Sequence, residues 1–150
     1  KKLNHQIIKI KEKNPNFNIL ILTSRRTNDQ IKKILYKKLN KIAYVWQENE
    51  INPYTFALKY SKFFIVTSDS TSMISECAFT GKPIYVFHLP FKRESKRMYK
   101  FHQEFEEKKI TKKLDNQNNL VPWTYDSLNE SKRIASILKE RIIKEINESR

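Results

Sequence analysis

One stretch, Phe63–Leu89, constrains this chain more than any other. It reads FFIVTSDSTSMISECAFTGKPIYVFHL. A short apolar run, Phe63–Thr67, ends in four small polar residues, Ser68, Asp69, Ser70 and Thr71. A helical pattern follows, with Met73, Ile74, Cys77 and Ala78 spaced to share one buried face. Gly81 closes it and Pro83 stops any continuation. A second apolar run, Ile84–Leu89, comes next. Strand, polar turn, helix, glycine stop and strand make a βαβ unit, whose crossover joins parallel strands. The polar turn falls where the first strand ends, the edge at which open parallel sheets bind ligands.

The turn has two readings. The first N–H groups of a helix lack partners inside it, and the helix dipole adds positive charge there. A phosphate suits that place, and hydroxyls from Ser68, Ser70, Thr71 and Ser72 add donors. Alternatively, Asp69 or Ser70 only caps the helix. The turn holds no glycine, unlike the familiar phosphate loops.

The flanking chain repeats the pattern. An amphipathic helix is expected over 3–13, with Leu3, Ile7, Ile8 and Ile10 apolar, broken by Asn14-Pro15-Asn16. Phe17–Thr23 reads as a buried parallel strand. It ends in Ser24-Arg25-Arg26-Thr27, and Asn28–Leu39 follows as a helix. Two arginines thus stand at the ligand edge, and guanidinium forks suit phosphate; a solvated loop pair is the plainer reading. Ile42–Trp46 is a third strand, and Pro53 opens a short helix over Tyr54–Lys62. Helices are expected again over Ser95–Lys109 and Leu128–Ile146, with a loop at 116–122 between them and a capping box from Ser127 to Glu130. Four strands, 17–23, 42–46, 63–67 and 84–89, alternating with helices predict a doubly wound, Rossmann-like α/β domain. The 17–23 strand is expected in the centre, beside both 42–46 and 63–67.

Length and composition limit the rest. The 150 residues suit one domain with its own core. The single Cys77 makes no internal disulfide, which fits a reducing, cytoplasmic compartment. No apolar run reaches the length of a membrane span. One cysteine and three scattered histidines supply no zinc-like cluster, so no metal site is expected. The formal charge of +14 invites a nucleic-acid reading. Against it, the lysines spread over nearly every helix, with one denser patch at Lys92–Lys100. Weak attraction to acidic lipid, peripheral to the inner membrane, fits the charge as well as nucleic acid does.

Several segments resemble the elongated-mitochondria (ELM) fission-protein family and its bacterial relatives. These are TSRRT, then NPYTFALKYSKFFIVTSDSTSMISECAFTGKPIYVFHLP, KFHQEF and WTYDSLNESKRIASIL, in order from Phe17 to Leu138. The resemblance implies the C-terminal half of a GT-B glycosyltransferase-like fold, the half that holds a nucleotide-sugar donor. The N-terminal partner domain would then be absent from this chain. By the same resemblance Ser68, Asp69, Ser70, Thr71 and Ser72 match the donor-phosphate turn, with serines replacing the usual glycines. Ser24, Arg25 and Arg26 would face the same cleft. Glu76 matches the residue that holds the donor ribose, and Trp46, Asn52 and Tyr54 would flank the base. The loop there reads QENEINPY, where a more glycine-rich one is expected. No catalytic residue is assigned, since the base in such enzymes usually comes from the other domain. The nucleoside-diphosphate sugar is a substrate, and no cofactor is implied. The rival reading is a non-enzymatic recruitment module with a vestigial phosphate site; a basic nucleic-acid-binding domain is the third.

Overall fold

The computed structural model describes residues 2–90, 95–114, 120–128 and 130–148. Lys92 and Arg93 of the basic patch, and residues 116–119 of the expected loop, lie outside them. So does Asn129, inside the expected capping box. Six helices and five strands are present among the described residues: α1 (Lys2–Lys13), β1 (Leu20–Ile21), α2 (Asp29–Leu39), β2 (Tyr44–Val45), α3 (Tyr54–Tyr60), β3 (Phe64–Thr67), α4 (Thr71–Ala78), β4 (Ile84–Phe87), α5 (Lys96–Glu107), β5 (Thr111–Lys113) and α6 (Glu130–Glu148). Every strand pairing among the described residues is parallel. The chain is therefore a Rossmann-like α/β domain built from strand–turn–helix units.

Each helix forms for local reasons. The Asn28 side chain accepts from the N–H of Gln30 and starts α2. Gly81 follows α4 at φ 71°, a left-handed conformation that glycine adopts without strain. Lys109 takes the same role after α5 at φ 56°. There the N–H of Ile110 reaches back to the Phe105 carbonyl, and that of Lys109 to Glu106. This is a Schellman closure made without glycine.

Two cores result. Phe64, Val66, Ile74, Cys77, Ala78, Ile84, Val86 and Ile110 form one, under α4 and α5. Ile7, Leu35, Leu39 and Val45 form the other, between α1, α2 and β2. Strand β4 is buried on both faces, as Ile84, Tyr85 and Val86 show. Strand β3 alternates, with Phe64 and Val66 turned inward.

The sheet order differs from the expectation. The 17–23 run does pair with 42–46, through Leu20↔Tyr44 and Ile21↔Val45. It makes no ladder with 63–67 among the described residues, so it is not central. The paired part of the run, Leu20–Ile21, is only half-buried, unlike a central strand, and its start is held by another element. There the Lys11 ammonium takes the carbonyls of Pro15 and Phe17, both at 2.8 Å. The rings of Phe17 and Phe63 still meet, 5.6 Å apart. The central strand of the larger sheet is β4, flanked by β3 and an unforeseen β5. Among the described residues, no helix is long and apolar enough to cross a membrane.

Candidate functional site

The turn after β3 sits at the carboxyl edge, as the register Thr67↔Phe87 requires. Its first residue is locked. Ser68 is wholly buried. Its N–H donates to the Phe87 carbonyl at 3.0 Å. Its hydroxyl accepts the Leu89 N–H at 3.1 Å. Its carbonyl accepts from His102 Nε2 on α5 at 2.8 Å. The Ser68 hydroxyl is thus engaged in joining β3 to the segment after β4.

The next residues are disposed differently. Asp69 and Ser72 are exposed, and Ser70 and Thr71 half-buried. The Ser70 N–H closes the turn on the Thr67 carbonyl at 3.0 Å. The Ser70 carbonyl accepts the first helical bond, from Ile74, at 3.0 Å. Ser70 occupies the N-cap position, yet no side-chain cap bond forms there. Among the described residues, the N–H groups of Thr71, Ser72 and Met73 have no acceptor. The start of α4 therefore presents backbone donors, the positive end of a helix dipole and uncommitted hydroxyls.

A second cluster lies one turn along. Glu76 is exposed on α4 and accepts the Tyr54 hydroxyl at 2.6 Å. Burial and this carboxylate push the Tyr54 phenol well above its usual range. Asn52 Oδ1 accepts the Tyr54 N–H at 3.0 Å, which fixes the entry to α3. Trp46 Nε1 donates to the Glu50 carbonyl at 3.3 Å within the same loop. Asn52, Tyr54 and Glu76 are thus linked through hydrogen bonds, although 22 positions separate Tyr54 from Glu76.

The arginine turn follows β1. The Arg26 N–H donates to the Ser24 hydroxyl at 3.2 Å, and the Thr27 N–H to the Ser24 carbonyl at 2.9 Å. Arg25 and Arg26 are exposed. Among the described residues, no hydrogen bond or ion pair ties either guanidinium to residues 68–72. Both turns close the carboxyl ends of their strands, in separate ladders.

Sequence reasoning missed the part played by His102. Its position on the apolar stripe of α5, beside Phe101 and Phe105, was the available signal: a polar residue there must find a buried partner. No group of three or more metal-ligating side chains occurs among the described residues.

The architecture and its uncapped carboxyl-edge turn define a parallel, Rossmann-like α/β domain. The sequence model of the family described as Mitochondrial fission ELM1 matches residues 1–142. The chain belongs to that family. It is 28% identical to Mitochondrial fission protein ELM1 of Arabidopsis thaliana over 130 residues, which cover 83% of this chain and 29% of that protein. It is 32% identical to an uncharacterised protein of Rickettsia prowazekii (strain Madrid E) over 121 residues, 77% of this chain and 34% of the relative. The chain thus spans about a third of the length of these relatives. No solved structure matches it.

Proposed function

We propose that this domain binds the nucleoside diphosphate of a nucleotide sugar, as one half of a GT-B-like glycosyltransferase. The observation that carries the reading is the start of α4. Its N-cap serine makes no cap bond, and three backbone donors stand open beside it. A diphosphate at that place would take the N–H groups of Thr71, Ser72 and Met73 and the Ser70 hydroxyl. Arg25 and Arg26, exposed at the end of β1, would swing in as the charge partners. Glu76 would accept the ribose hydroxyls, with the Tyr54 hydroxyl holding the carboxylate in place. Asn52, Tyr54 and Trp46 would flank the base. Ser68 has no ligand role here, because it is wholly buried beneath the turn. Asp69 would stay turned to solvent, away from a like charge.

Glycosyl transfer by the intact protein would need a second domain, which fits a chain covering a third of its relatives. A second reading rests on the Arabidopsis relative, a mitochondrial fission protein. In it the domain recruits a partner or settles on acidic lipid, and the turn is a remnant.

Calorimetric titration separates the two. A nucleoside diphosphate and inorganic pyrophosphate are each titrated into the parent and into Arg25→Ala, Arg26→Ala, Ser70→Ala and Glu76→Ala variants. Each charge-assisted hydrogen bond contributes roughly 1.5–3 kcal/mol, so an arginine loss weakens both ligands about tenfold or more. The Glu76→Ala change weakens the nucleotide and spares pyrophosphate. No binding of either ligand to the parent at millimolar concentration, even with the missing half restored, would move the recruitment reading to first place.

A further inference from the structure

A parallel sheet sends each crossover helix back to the amino ends of its strands, so the connectors that leave the helix C-termini gather at one edge. Here those connectors are residues 14–19, 40–43, 61–63, 79–83 and 108–110. The two ladders share that amino edge: Phe17, just before β1, and Phe63, just before β3, meet ring to ring at 5.6 Å. It lies opposite the turn of Ser68–Ser72, which closes the carboxyl end of β3. Lysines that look scattered along the sequence are collected there by the topology.

The five connectors carry Lys41, Lys62, Lys82, Lys108 and Lys109 and no carboxylate. The last turns of α1, α2 and α3 add Lys11, Lys13, Lys37, Lys38 and Lys59. Some of this charge serves the fold. Lys82 Nζ donates to the carbonyls of Leu58 and Lys59 at 2.8 and 2.6 Å, and Lys11 grips the chain before β1 in the same way. Lys37, Lys38, Lys41, Lys62, Lys108 and Lys109 are different. They are exposed, and among the described residues none has an ion-pair partner. The carboxylates of the same helix ends are Glu12 on α1 and Glu104, Glu106 and Glu107 on α5. Those on α5 are engaged by Lys100, Lys113 and Gln103 respectively. At the carboxyl edge the described connectors set Arg25 and Arg26 against Glu48, Glu50 and Asp69. Among the described connectors, positive charge is therefore concentrated at the amino edge.

Exposed rings stand among these lysines. Tyr60 ends α3 and Phe79 begins the connector after α4; they are 60% and 56% exposed. The Lys82 contacts bring that connector against the end of α3. Phe56, also exposed, packs on Tyr60 with ring centres 4.7 Å apart, and the Lys59 ammonium lies 5.2 Å from the Tyr60 ring centre. Two kinds of anionic surface compete for such a face. A nucleic-acid backbone is met by arginine forks and by the open N–H groups of helix N-termini. This edge has neither. Its cations are all lysine, and the helices present their C-termini, whose dipoles oppose a closely bound phosphate. A bilayer surface needs no such close bond. Its acidic headgroups attract long lysine side chains within a Debye length, and aromatic rings settle at the headgroup level. Tyr60 and Phe79 suit that role, whereas on a duplex they would meet phosphates.

We propose that the amino edge docks on an anionic lipid bilayer, with the exposed lysines of the helix ends against the headgroups and the Tyr60 and Phe79 rings seated between them. Docking in this way leaves the carboxyl edge, with the start of α4, facing water, so a soluble ligand reaches it unobstructed. The proposal goes beyond the nucleotide reading and shares no residue with it.

The test is co-sedimentation of the full chain with vesicles, either of phosphatidylcholine alone or of phosphatidylcholine and phosphatidylglycerol in equal parts. The parent should bind the mixed vesicles, release them as salt rises, and ignore the neutral ones. Each lysine near an acidic surface strengthens the attraction roughly fivefold, so Lys41→Glu with Lys62→Glu should weaken binding about thirtyfold or more. Lys37→Glu with Lys108→Glu is a second pair with the same expectation, should the first fail to fold. Lys96→Glu with Arg97→Glu makes the same change in net charge at the start of α5, on the carboxyl side, and should alter binding by less than about threefold. Phe79→Ser should weaken binding and leave its salt dependence unchanged. Four results would each overturn the proposal: no binding to mixed vesicles at low salt, equal losses in the amino-edge and carboxyl-edge pairs, parent-like binding by Phe79→Ser, or tighter binding to a DNA duplex or single strand than to mixed vesicles in the same buffer.

Discussion

Ser68 and Ser70 stand two residues apart in the same polar turn, and replacing each with alanine should have opposite consequences. The Ser68 hydroxyl is wholly buried and accepts the Leu89 N–H at 3.1 Å. Its removal leaves a partly buried donor unpaired and a small void beside the first core. An unsatisfied buried group costs about 1–3 kcal/mol. For a chain of this size each kcal/mol moves the melting midpoint by roughly 2–4 °C, so Ser68→Ala should melt several degrees lower. Ser70 occupies an N-cap position without a side-chain cap bond. An N-cap serine that does its usual work loses about 1 kcal/mol on replacement by alanine. Here the loss should stay below about 0.5 kcal/mol, the range of ordinary surface changes. Urea unfolding followed by circular dichroism resolves that difference, provided the slope with denaturant is unchanged. Ligand binding should then invert the order: diphosphate affinity falls in Ser70→Ala and holds in folded Ser68→Ala. If Ser70→Ala costs as much as Ser68→Ala, the turn is capped in solution. The open helix start, and the phosphate reading built on it, would then be refuted.

Three further outcomes follow from single positions. Gly81→Ala should destabilise by about 1–2 kcal/mol because φ is 71°, although the new Cβ would meet only Ser127 Cβ at a comfortable 3.7 Å; an unchanged thermal midpoint would contradict it. Burial, aided by the Glu76 charge, pushes the Cys77 thiol up to about 12, so at about pH 8 the native protein should alkylate roughly a thousandfold more slowly than an exposed cysteine; a matching rate would mean the first core is open. Burial, with the charges of His102 and Lys113 against the pull of Glu106, holds the His88 imidazole below its ordinary 6.5. The folded state then binds fewer protons than the unfolded one, so stability falls as pH drops through that ordinary value and levels off below the folded one. The urea midpoint of the parent should decline more steeply on acidification than that of His88→Gln, and parallel curves would refute the assignment.

Much of this architecture was legible because the strand–turn–helix units carry strong apolar periodicity. The helices over 3–13, 28–39 and 95–109 formed within a residue or two of their expected limits. Where the reading fell short, the cause is physical. Strand β5 has the sequence Thr-Lys-Lys, with only Thr111 buried, so it carries no apolar run to detect. It forms because β4 offers a free edge. The run 17–23 looked central by composition, yet among the described residues only Leu20 and Ile21 enter a ladder, with β2, and both are only half-buried. The inward turn of Ser68 did leave a trace. Phe64, Val66 and Ser68 continue one period-two face, and all three are buried. The link between Tyr54 and Glu76 left no such trace, since nothing local in either segment indicates the other.

The central claim is that the start of α4 takes a diphosphate through its backbone. Amide NMR of the uniformly labelled chain, titrated with a nucleoside diphosphate, tests it most directly. The account predicts saturable downfield shifts of the Thr71, Ser72 and Met73 N–H resonances, the three with no acceptor. The Ser68 N–H, already bonded to the Phe87 carbonyl, should move far less. Resonances of residues 71–73 that stay still while other amides shift, or that do not respond at any accessible concentration, would contradict it.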